Sequence, residues 1–469
     1  MITVLLAAAL AHADEVDRSA PPVVVPPTAF EHPAAEVHTV GGSTVWFVRE
    51  KGIRKLQIHV ILNRGAIDLD GHSTANSEAT GWLWDAATAT QTADQVTETE
   101  ELYDLDVSSW LGNTTSGLDM EVPPEELDRG LALLSGMLHE PTFPKDEVKR
   151  WSREKLQWYT ADALTSPRDL AGSALTFAWF PADHPFGVRP DLKAIKGVKS
   201  AALLEREARV IAEAPSLVVV VGDIEWATLE PKLATALGDV GKPGARTQDP
   251  AFTPPSASRW LAVDMPGNPQ ATIRMRTGAP LRDDPDRVVA EVVDFAIGGS
   301  FLSRLNSNLR EDKGWTYGAW SSYSYDRTRA HWTFGLDVKV EHVAETVTEL
   351  AKEVDKLAAE GARIDEITGA RNTMVSWWNS SLETGAGSIK FYDQLHFDES
   401  TVGAERDRVV ALDHVTPDDT KRVAGKWLAP ANPRVWVIVG DKNAIGQQLE
   451  AAGLKVEWVS AEDAILGTF

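Results

Sequence analysis

Hydrophobic patterning divides the chain into two halves that present the same signals in the same order. Apolar or alternating runs typical of strands occur at 44–48 and 56–62 in the first half and at 271–276 in the second. Each half closes with a β-branched run that ends in Gly-Asp, at 217–223 and 435–441. Because the signals recur at similar spacing, we predict that one structural unit is present twice.

Helices are predicted between and after these strands. Apolar residues recur at helical spacing over 124–138 in the first half and 343–357 in the second. Shorter helical patterns follow the two closing strands, at 229–237 and 444–452. The mixture of strands and amphipathic helices predicts an α+β fold made of two similar domains.

Turn-forming and Pro-rich segments mark the domain boundaries. Residues 14–36 are rich in Pro and Ala, which predicts an extended leader that forms neither helix nor central strand. A second cluster of turn formers, 241–258, predicts a linker. The two domains are therefore expected at 37–240 and 259–469.

The N-terminal residues 1–13 have the features of a secretory signal peptide. A short apolar run ends in an Ala-x-Ala pattern at Ala13, directly before the acidic Asp14. The basic residues that usually precede such a run are missing, so an ordinary apolar terminus is the alternative. We predict a periplasmic or secreted protein. No later stretch approaches about 18 uninterrupted apolar residues, so no membrane span is predicted.

Composition excludes several classes of function. The chain has 46 Lys and Arg residues against 69 Asp and Glu, a formal charge of −23, which disfavours nucleic acid as a partner. It has no cysteine, which excludes disulfides, thiolate zinc ligands and a cysteine nucleophile.

One motif in the second half points to a known family. The segment 298–318 reads Gly-Gly-Ser-Phe-Leu-Ser-Arg-Leu, then Leu-Arg-Glu, then Gly-x-x-Tyr, and it resembles the C-terminal domain of the M16 (insulinase and mitochondrial processing peptidase) metallopeptidases. Segments 131–143 and 184–187 are similar to first-domain features of the same family. The resemblance implies two LuxS/MPP-like α/β sandwich domains around a substrate chamber, which is commonly assembled from two chains.

The chain departs from this family at the zinc site. Active members carry His-x-x-Glu-His on a first-domain helix, which binds Zn²⁺ and supplies a general base. The matching positions here are Trp82, Asp85 and Ala86, or 84–88 if Gly81 is the anchor, and no histidine occurs between residues 72 and 139. We therefore predict no metal site and no catalytic residue in this chain. The apolar members of 82–86 are expected to fill the vacated site.

The helix that supplies a third zinc ligand in the family offers only Glu154 here, which is predicted to be an ordinary surface residue. No cofactor is expected in this chain. The resemblance places zinc in a partner chain.

Arg310 and Tyr317 are the candidate substrate-binding residues. The resemblance implies that an Arg and a Tyr seven residues apart donate hydrogen bonds to substrate carbonyl groups, and this spacing and its motif context are intact here.

Three functions are compatible with these features. The favoured one is a non-catalytic subunit that pairs with a chain bearing His-x-x-Glu-His and contributes Arg310 and Tyr317 to hydrolysis of a peptide substrate. The alternative is a peptide-binding or scaffold protein with no peptidase role. Independent hydrolysis through an unrecognised site is disfavoured, because both histidines and the general-base glutamate are missing together.

Overall fold

The computed structural model describes residues 26–72 and 74–469. In this part of the chain, helices alternate with strands that form two six-stranded sheets, one in each half, which confirms the predicted duplicated α+β fold. The predicted signal peptide lies outside the described residues. Among the described helices, none is both long and apolar enough to cross a membrane.

The strands of the first half are β1 (Glu36–Val40), β2 (Ser43–Arg49), β3 (Leu56–Leu62), β4 (Asp106–Leu111), β5 (Ser116–Val122) and β6 (Ser216–Gly222). Those of the second half are β7 (Arg259–Asp264), β8 (Gln270–Gly278), β9 (Thr316–Tyr325), β10 (Ala330–Lys339), β11 (Arg434–Gly440) and β12 (Glu457–Val459).

The helices of the first half are α1 (Ala66–Asp70), α2 (Ala75–Leu83), α3 (Ala93–Tyr103), α4 (Leu127–His139), α5 (Lys145–Gln157), α6 (Pro167–Trp179), α7 (Leu192–Gly197), α8 (Ser200–Glu213) and α9 (Trp226–Leu237). The second half contains α10 (Arg287–Asp294), α11 (Val343–Glu360), α12 (Ile364–Ser380), α13 (Gly385–Phe397), α14 (Val402–Ala411), α15 (Pro417–Trp427), α16 (Lys442–Ala451) and α17 (Ala461–Leu466).

The two sheets share one topology except at one edge, where β1 pairs antiparallel with β2 but β12 pairs parallel with β7. Their strand orders are β1-β2-β6-β3-β5-β4 and β12-β7-β11-β8-β10-β9. In each sheet a parallel pair, β2 with β6 or β7 with β11, is followed by three antiparallel pairings. β6 and β11 are buried throughout, which explains why their sequences are continuous β-branched runs instead of alternating ones.

Each half covers one face of the other half's sheet. Helix α6 of the first half packs its apolar side chains, including Leu175, on Val437 and neighbouring residues of the second sheet. Helix α13 of the second half packs Ile389 and Leu395 on Val219 and its neighbours in the first sheet. Separating the halves would expose both buried faces to water, so burial of apolar surface joins them into one unit.

The described part of the leader also joins the halves. Residues 26–35 form no helix or strand, yet they lie along α12 and α13. The indole N–H of Trp378 donates to the Phe30 carbonyl (2.9 Å), and the hydroxyl of Tyr392 donates to the Pro33 carbonyl (2.8 Å). The leader is thus fixed to the second half before the chain enters the first sheet.

A charged cluster connects α13 to the first sheet. His59 of β3 has its Nδ1 2.7 Å from the Asp393 carboxylate of α13 and 3.3 Å from Asp119 of β5. Burial by itself would lower the pKa of His59, but the hydrogen bond to Asp393 and the charges of Asp393 and Asp119 outweigh it and raise the pKa. Burial raises the pKa of Asp119, the charge of His59 opposes this shift, and the charge of Asp393 adds to it.

We expect this contact to make stability depend on pH. A histidine whose folded pKa is raised stabilises fully below its unfolded pKa of about 6.5, and the contribution is lost as pH rises through the folded pKa. Asp393→Asn should therefore lower the free energy of unfolding by about 1.5–3 kcal/mol near pH 6 and by less near pH 9. Thermal denaturation across this range measures the difference. Asp407→Asn, an exposed change on α14, is the control, and a pH-independent effect of Asp393→Asn would contradict the prediction.

Candidate functional site

Arg310 lies in a short π-helical segment, Asn306–Asp312. Leu309 is buried beneath it, whereas the Arg310 side chain retains 34% of its exposure. Gly314 follows the segment with a φ of +65°, which suits glycine, and the Gly314 and Trp315 N–H groups donate to the Arg310 and Leu309 carbonyls (both 3.0 Å). The chain therefore turns sharply from Arg310 into β9. Single π-helical turns are rare and frequently occur at functional sites.

Tyr317 lies at the start of β9, the edge strand of the second sheet. Pairing with β10 shifts between Thr316 and Ala319, so that Tyr317 and Gly318 stand opposite Asp337 alone. This extra residue is a β-bulge, a feature that redirects side chains and is enriched beside functional sites. The N–H of Gly318 donates to the Thr316 hydroxyl (3.1 Å), and the Tyr317 side chain is 90% exposed.

Exposed apolar side chains lie beside Arg310. Its guanidinium lies over the ring of Phe301, 4.3 Å from the centroid, and 3.4 Å from the Glu311 carboxylate. The attraction between a cation and an aromatic face holds the guanidinium near this ring. Leu302, next to Phe301, is 86% exposed. The Gly-Gly segment therefore presents two apolar side chains to solvent next to the predicted substrate-binding cation.

Buried polar residues hold this segment in place. The amide of Asn306 donates to the Ser300 carbonyl (3.2 Å), and its oxygen accepts the Ala319 N–H (2.9 Å), which links the segment to β9. Arg304 forms a buried two-pronged pair with Glu366 of α12, with both contacts at 2.7 Å. Such bidentate pairs fix geometry as well as charge. The Ser-Arg-Leu part of the motif is therefore structural support for Arg310 and Tyr317.

A groove of about 530 Å³ lies between the Gly-Gly segment and α12. Phe295, Phe301 and Leu302 line one side of it, and Trp377 and Gly369 of α12 line the other. Sequence analysis identified the motif around Phe301 and Leu302 but assigned no role to either residue, and it missed Trp377. The Trp377-Trp378 pair on a helix was the available signal, but two adjacent positions point about 100° apart, and only packing decides which of them is exposed.

The degenerate zinc motif lies on and just beyond α2. Leu83 and Trp84 are buried, and the indole N–H of Trp84 donates to the Met137 carbonyl (2.7 Å). These two residues fill the core as predicted, and Ala86 is partly buried against the same core. The prediction is wrong for Trp82, which is 71% exposed. The buried residues Ser77, Thr80 and Leu83 mark the inner face of α2, and Trp82 projects from the opposite face, one turn after Glu78.

Asp85 joins the end of α2 to β4. Its carboxylate accepts the N–H of Ser109 (2.9 Å), and the Ser109 hydroxyl donates to the Gly81 carbonyl (3.0 Å). Burial raises the pKa of Asp85 to about 6, although its hydrogen bonds with Ser109 oppose the shift. Gly81 permits this close approach, because a Cβ there would lie 2.4 Å from the Leu111 nitrogen. Asp85, which corresponds to the motif's glutamate in one alignment, therefore has a structural role, because its hydrogen bond to Ser109 joins α2 to β4.

The helix expected to supply a third zinc ligand faces solvent at Glu154. The next residue, Lys155, forms a salt bridge with Glu78 of α2 and lies 5.4 Å from the Tyr159 ring centroid. In the described residues, no group of three His, Asp or Glu side chains is placed to hold a metal ion. The residues present at this position therefore do not fit the zinc centre of the active enzymes.

Comparison with known proteins agrees with this fold. Residues 216–374 match the family described as Peptidase M16 inactive domain. A solved peptidase M16 inactive domain from Pseudomonas fluorescens is 19% identical, with a TM-score of 0.77, and the match covers 87% of this chain and 98% of that one. No match was found among curated proteins.

Two longer proteases share the fold. The periplasmic protease PqqL from Escherichia coli is 14% identical with a TM-score of 0.71, and the match covers 91% of this chain and 49% of PqqL. A mutant of the ferredoxin protease FusC, solved in complex with Arabidopsis ferredoxin, is 15% identical with a TM-score of 0.66 and coverage of 90% and 49%.

The fold is similar to that of M16 peptidase inactive domains, and residues 216–374 match that family, in agreement with the sequence resemblance. The chain lacks His-x-x-Glu-His and has Arg310 and Tyr317 seven residues apart in its second half.

Proposed function

We propose that this chain is the non-catalytic subunit of a two-chain zinc peptidase. The partner carries His-x-x-Glu-His and zinc, and this chain contributes Arg310 and Tyr317, which donate hydrogen bonds to carbonyl groups of the peptide substrate. Donors fixed around a reacting carbonyl stabilise the charge that develops on its oxygen in the transition state.

One contrast between the two halves carries this proposal. In the segment that matches the zinc motif, Leu83 and Trp84 are buried in the core, and Trp84 is hydrogen-bonded to the Met137 carbonyl. Arg310 and Tyr317 have remained accessible, on a π-helical turn and a β-bulge.

The lengths of related proteases support the same arrangement. This chain matches only 49% of PqqL and 49% of FusC, so about half of each protease lies outside the match. A separate partner chain of similar size would supply the remaining half in a two-chain enzyme.

Reconstitution tests the proposal directly. We expect this chain alone to bind no stoichiometric zinc and to cleave no unstructured peptide. Adding a similar chain that carries His-x-x-Glu-His should produce a stable complex with chelator-sensitive activity above that of the partner alone. A partner that is equally active without this chain would contradict the proposal.

A peptide-binding or scaffold role is the second candidate. The exposed Phe301, Leu302 and Trp377 around one groove favour it, because clustered exposed apolar side chains mark interaction sites. In that case the complex would bind peptide, and removal of the Tyr317 hydroxyl would have no effect on hydrolysis.

We also propose export to the periplasm, supported by the Ala-x-Ala pattern at Ala13 and by the fold shared with periplasmic PqqL. N-terminal sequencing of protein from its native host should begin at Asp14. Protein with Met1 retained in a cytoplasmic fraction would contradict export.

A further inference from the structure

A second cavity, of about 410 Å³, lies behind the groove that contains Phe301. It is enclosed by residues of α10, β9 and α12–α14, and Trp377 lines both the cavity and the groove. The two spaces therefore adjoin at Trp377. The cavity combines an acidic lining with large aromatic side chains.

Three of its four carboxylates, Glu291, Glu405 and Asp398, lie within salt-bridge distance of an arginine. Arg408 contacts Glu291 at 2.5 Å and Glu405 at 2.7 Å. Arg287 lies 3.4 Å from Glu291 and 3.5 Å from Glu405. Arg408 and Arg287 thus balance the charges of Glu291 and Glu405, and neither arginine lies within salt-bridge distance of another carboxylate of the cavity.

Asp294, at the end of α10, has no such partner. Its carboxylate accepts the Ser321 hydroxyl (2.7 Å), and in the described residues no Lys, Arg or His lies within salt-bridge distance of it. The guanidinium of Arg282 lies 3.7 Å from the remaining carboxylate, Asp398. Burial raises the pKa of Asp294 to about 6, because a carboxylate removed from water without a cation is destabilised in its charged form.

Aromatic side chains, which attract cations to their ring faces, also line the cavity. Trp377 and Trp378 of α12 and Phe391 of α13 line the cavity, and Trp377 is 58% exposed. Within the described part of the chain, neither Lys nor Arg lies over any of these three rings. Trp378 is buried, and the His32 ring lies 4.1 Å from its centroid and 5.0 Å from that of Phe391, so Trp377 supplies the open aromatic face. A carboxylate without a cationic partner, in the same cavity as an open aromatic face, favours an organic cation.

We propose that this cavity binds the cationic side chain, guanidinium or ammonium, of a peptide, with Asp294 as counter-ion and Trp377 as the aromatic wall. The proposal rests on the proposed function in that the peptide also passes Arg310, and it assigns a side-chain preference to that substrate. The charge complementarity of the cavity selects this occupant, since an apolar side chain would leave Asp294 unpaired.

The test measures peptide binding to the isolated chain, without a zinc partner. Labelled pentapeptides Ala-Ala-Arg-Ala-Ala, its Lys counterpart and its neutral citrulline counterpart are titrated by fluorescence anisotropy. We expect the Arg or Lys peptide to bind about tenfold or more tightly than the citrulline peptide, the scale of one charge-assisted hydrogen bond. Asp294→Asn should abolish that preference, and Trp377→Ala should weaken binding of all three peptides.

Glu98→Gln is the matched control, because it removes one negative charge from an exposed position of the other half and should leave the preference unchanged. Equal binding of cationic and citrulline peptides to the unmodified chain would overturn the proposal, as would an Asp294→Asn variant that keeps the preference. Because no turnover is measured, failure of the two-chain peptidase hypothesis would not alter this result.

Discussion

Tyr317→Phe is expected to lower peptide turnover by the reconstituted pair about 10²–10³-fold, the typical effect of removing one donor from a transition-state oxygen. The change deletes only a hydroxyl. Since Tyr317 is 90% exposed, the melting temperature of the chain and its affinity for the partner should not change. Comparison of kcat and KM then separates transition-state stabilisation from substrate binding.

Arg310→Ala should reduce turnover at least as strongly. A guanidinium offers several donors in a fixed plane, and its loss removes charge and positioning together. Arg310→Lys should recover only part of the activity, because an ammonium cannot reproduce that planar geometry.

Arg153→Ala, an exposed arginine of α5 in the first half, is the control for loss of positive charge. The complementation hypothesis fails if both site variants support full turnover in a pair whose activity requires this chain. The scaffold function would then be the better explanation of the exposed apolar groove.

Trp84→Ala is expected to lower the free energy of unfolding by about 3–5 kcal/mol, the range for truncation of a large buried aromatic side chain. Trp84 is fully buried in the first-half core, and the variant also leaves the Met137 carbonyl without the indole N–H. Chemical denaturation measures the loss.

Trp82→Ala provides the matched control, because it removes the same side chain two residues earlier. Trp82 is 71% exposed, so its truncation should change the free energy of unfolding by no more than about 0.5 kcal/mol. Equal destabilisation by the two substitutions would contradict the assignment of Trp84 to the core and Trp82 to the surface.

The sequence by itself determined the repeated α+β unit. The continuous apolar runs at 217–222 and 435–440 form the central strands β6 and β11, because a strand buried on both faces needs apolar residues throughout. The sequence likewise shows that the zinc motif is missing, because no histidine occurs between residues 72 and 139. The Gly-Gly to Gly-x-x-Tyr motif indicated the similarity to M16 peptidases and both candidate residues, Arg310 and Tyr317.

Only the tertiary structure determined which helices cover which sheet and which side chains they bury. Sequence periodicity reports which face of an element is apolar, but not which element covers it. The exchange of α6 and α13 between the halves was therefore not predicted. The sequence predicts that Trp82 and Trp84 both fill the vacated zinc site, but the packing of α2 and its C-terminal end buries only Trp84.

The unpaired charge of Asp294 also emerges only in the folded chain. Asp294, Tyr323, Trp377 and Phe391 lie on four separate elements of the chain and share a cavity through packing of α10, β9, α12 and α13. A carboxylate's environment depends on which cations the fold brings within a few ångströms, because electrostatic interactions fall with distance and rise with burial. The sequence thus supplied the chemical groups, and the long-range packing determined which of them remained available to a ligand.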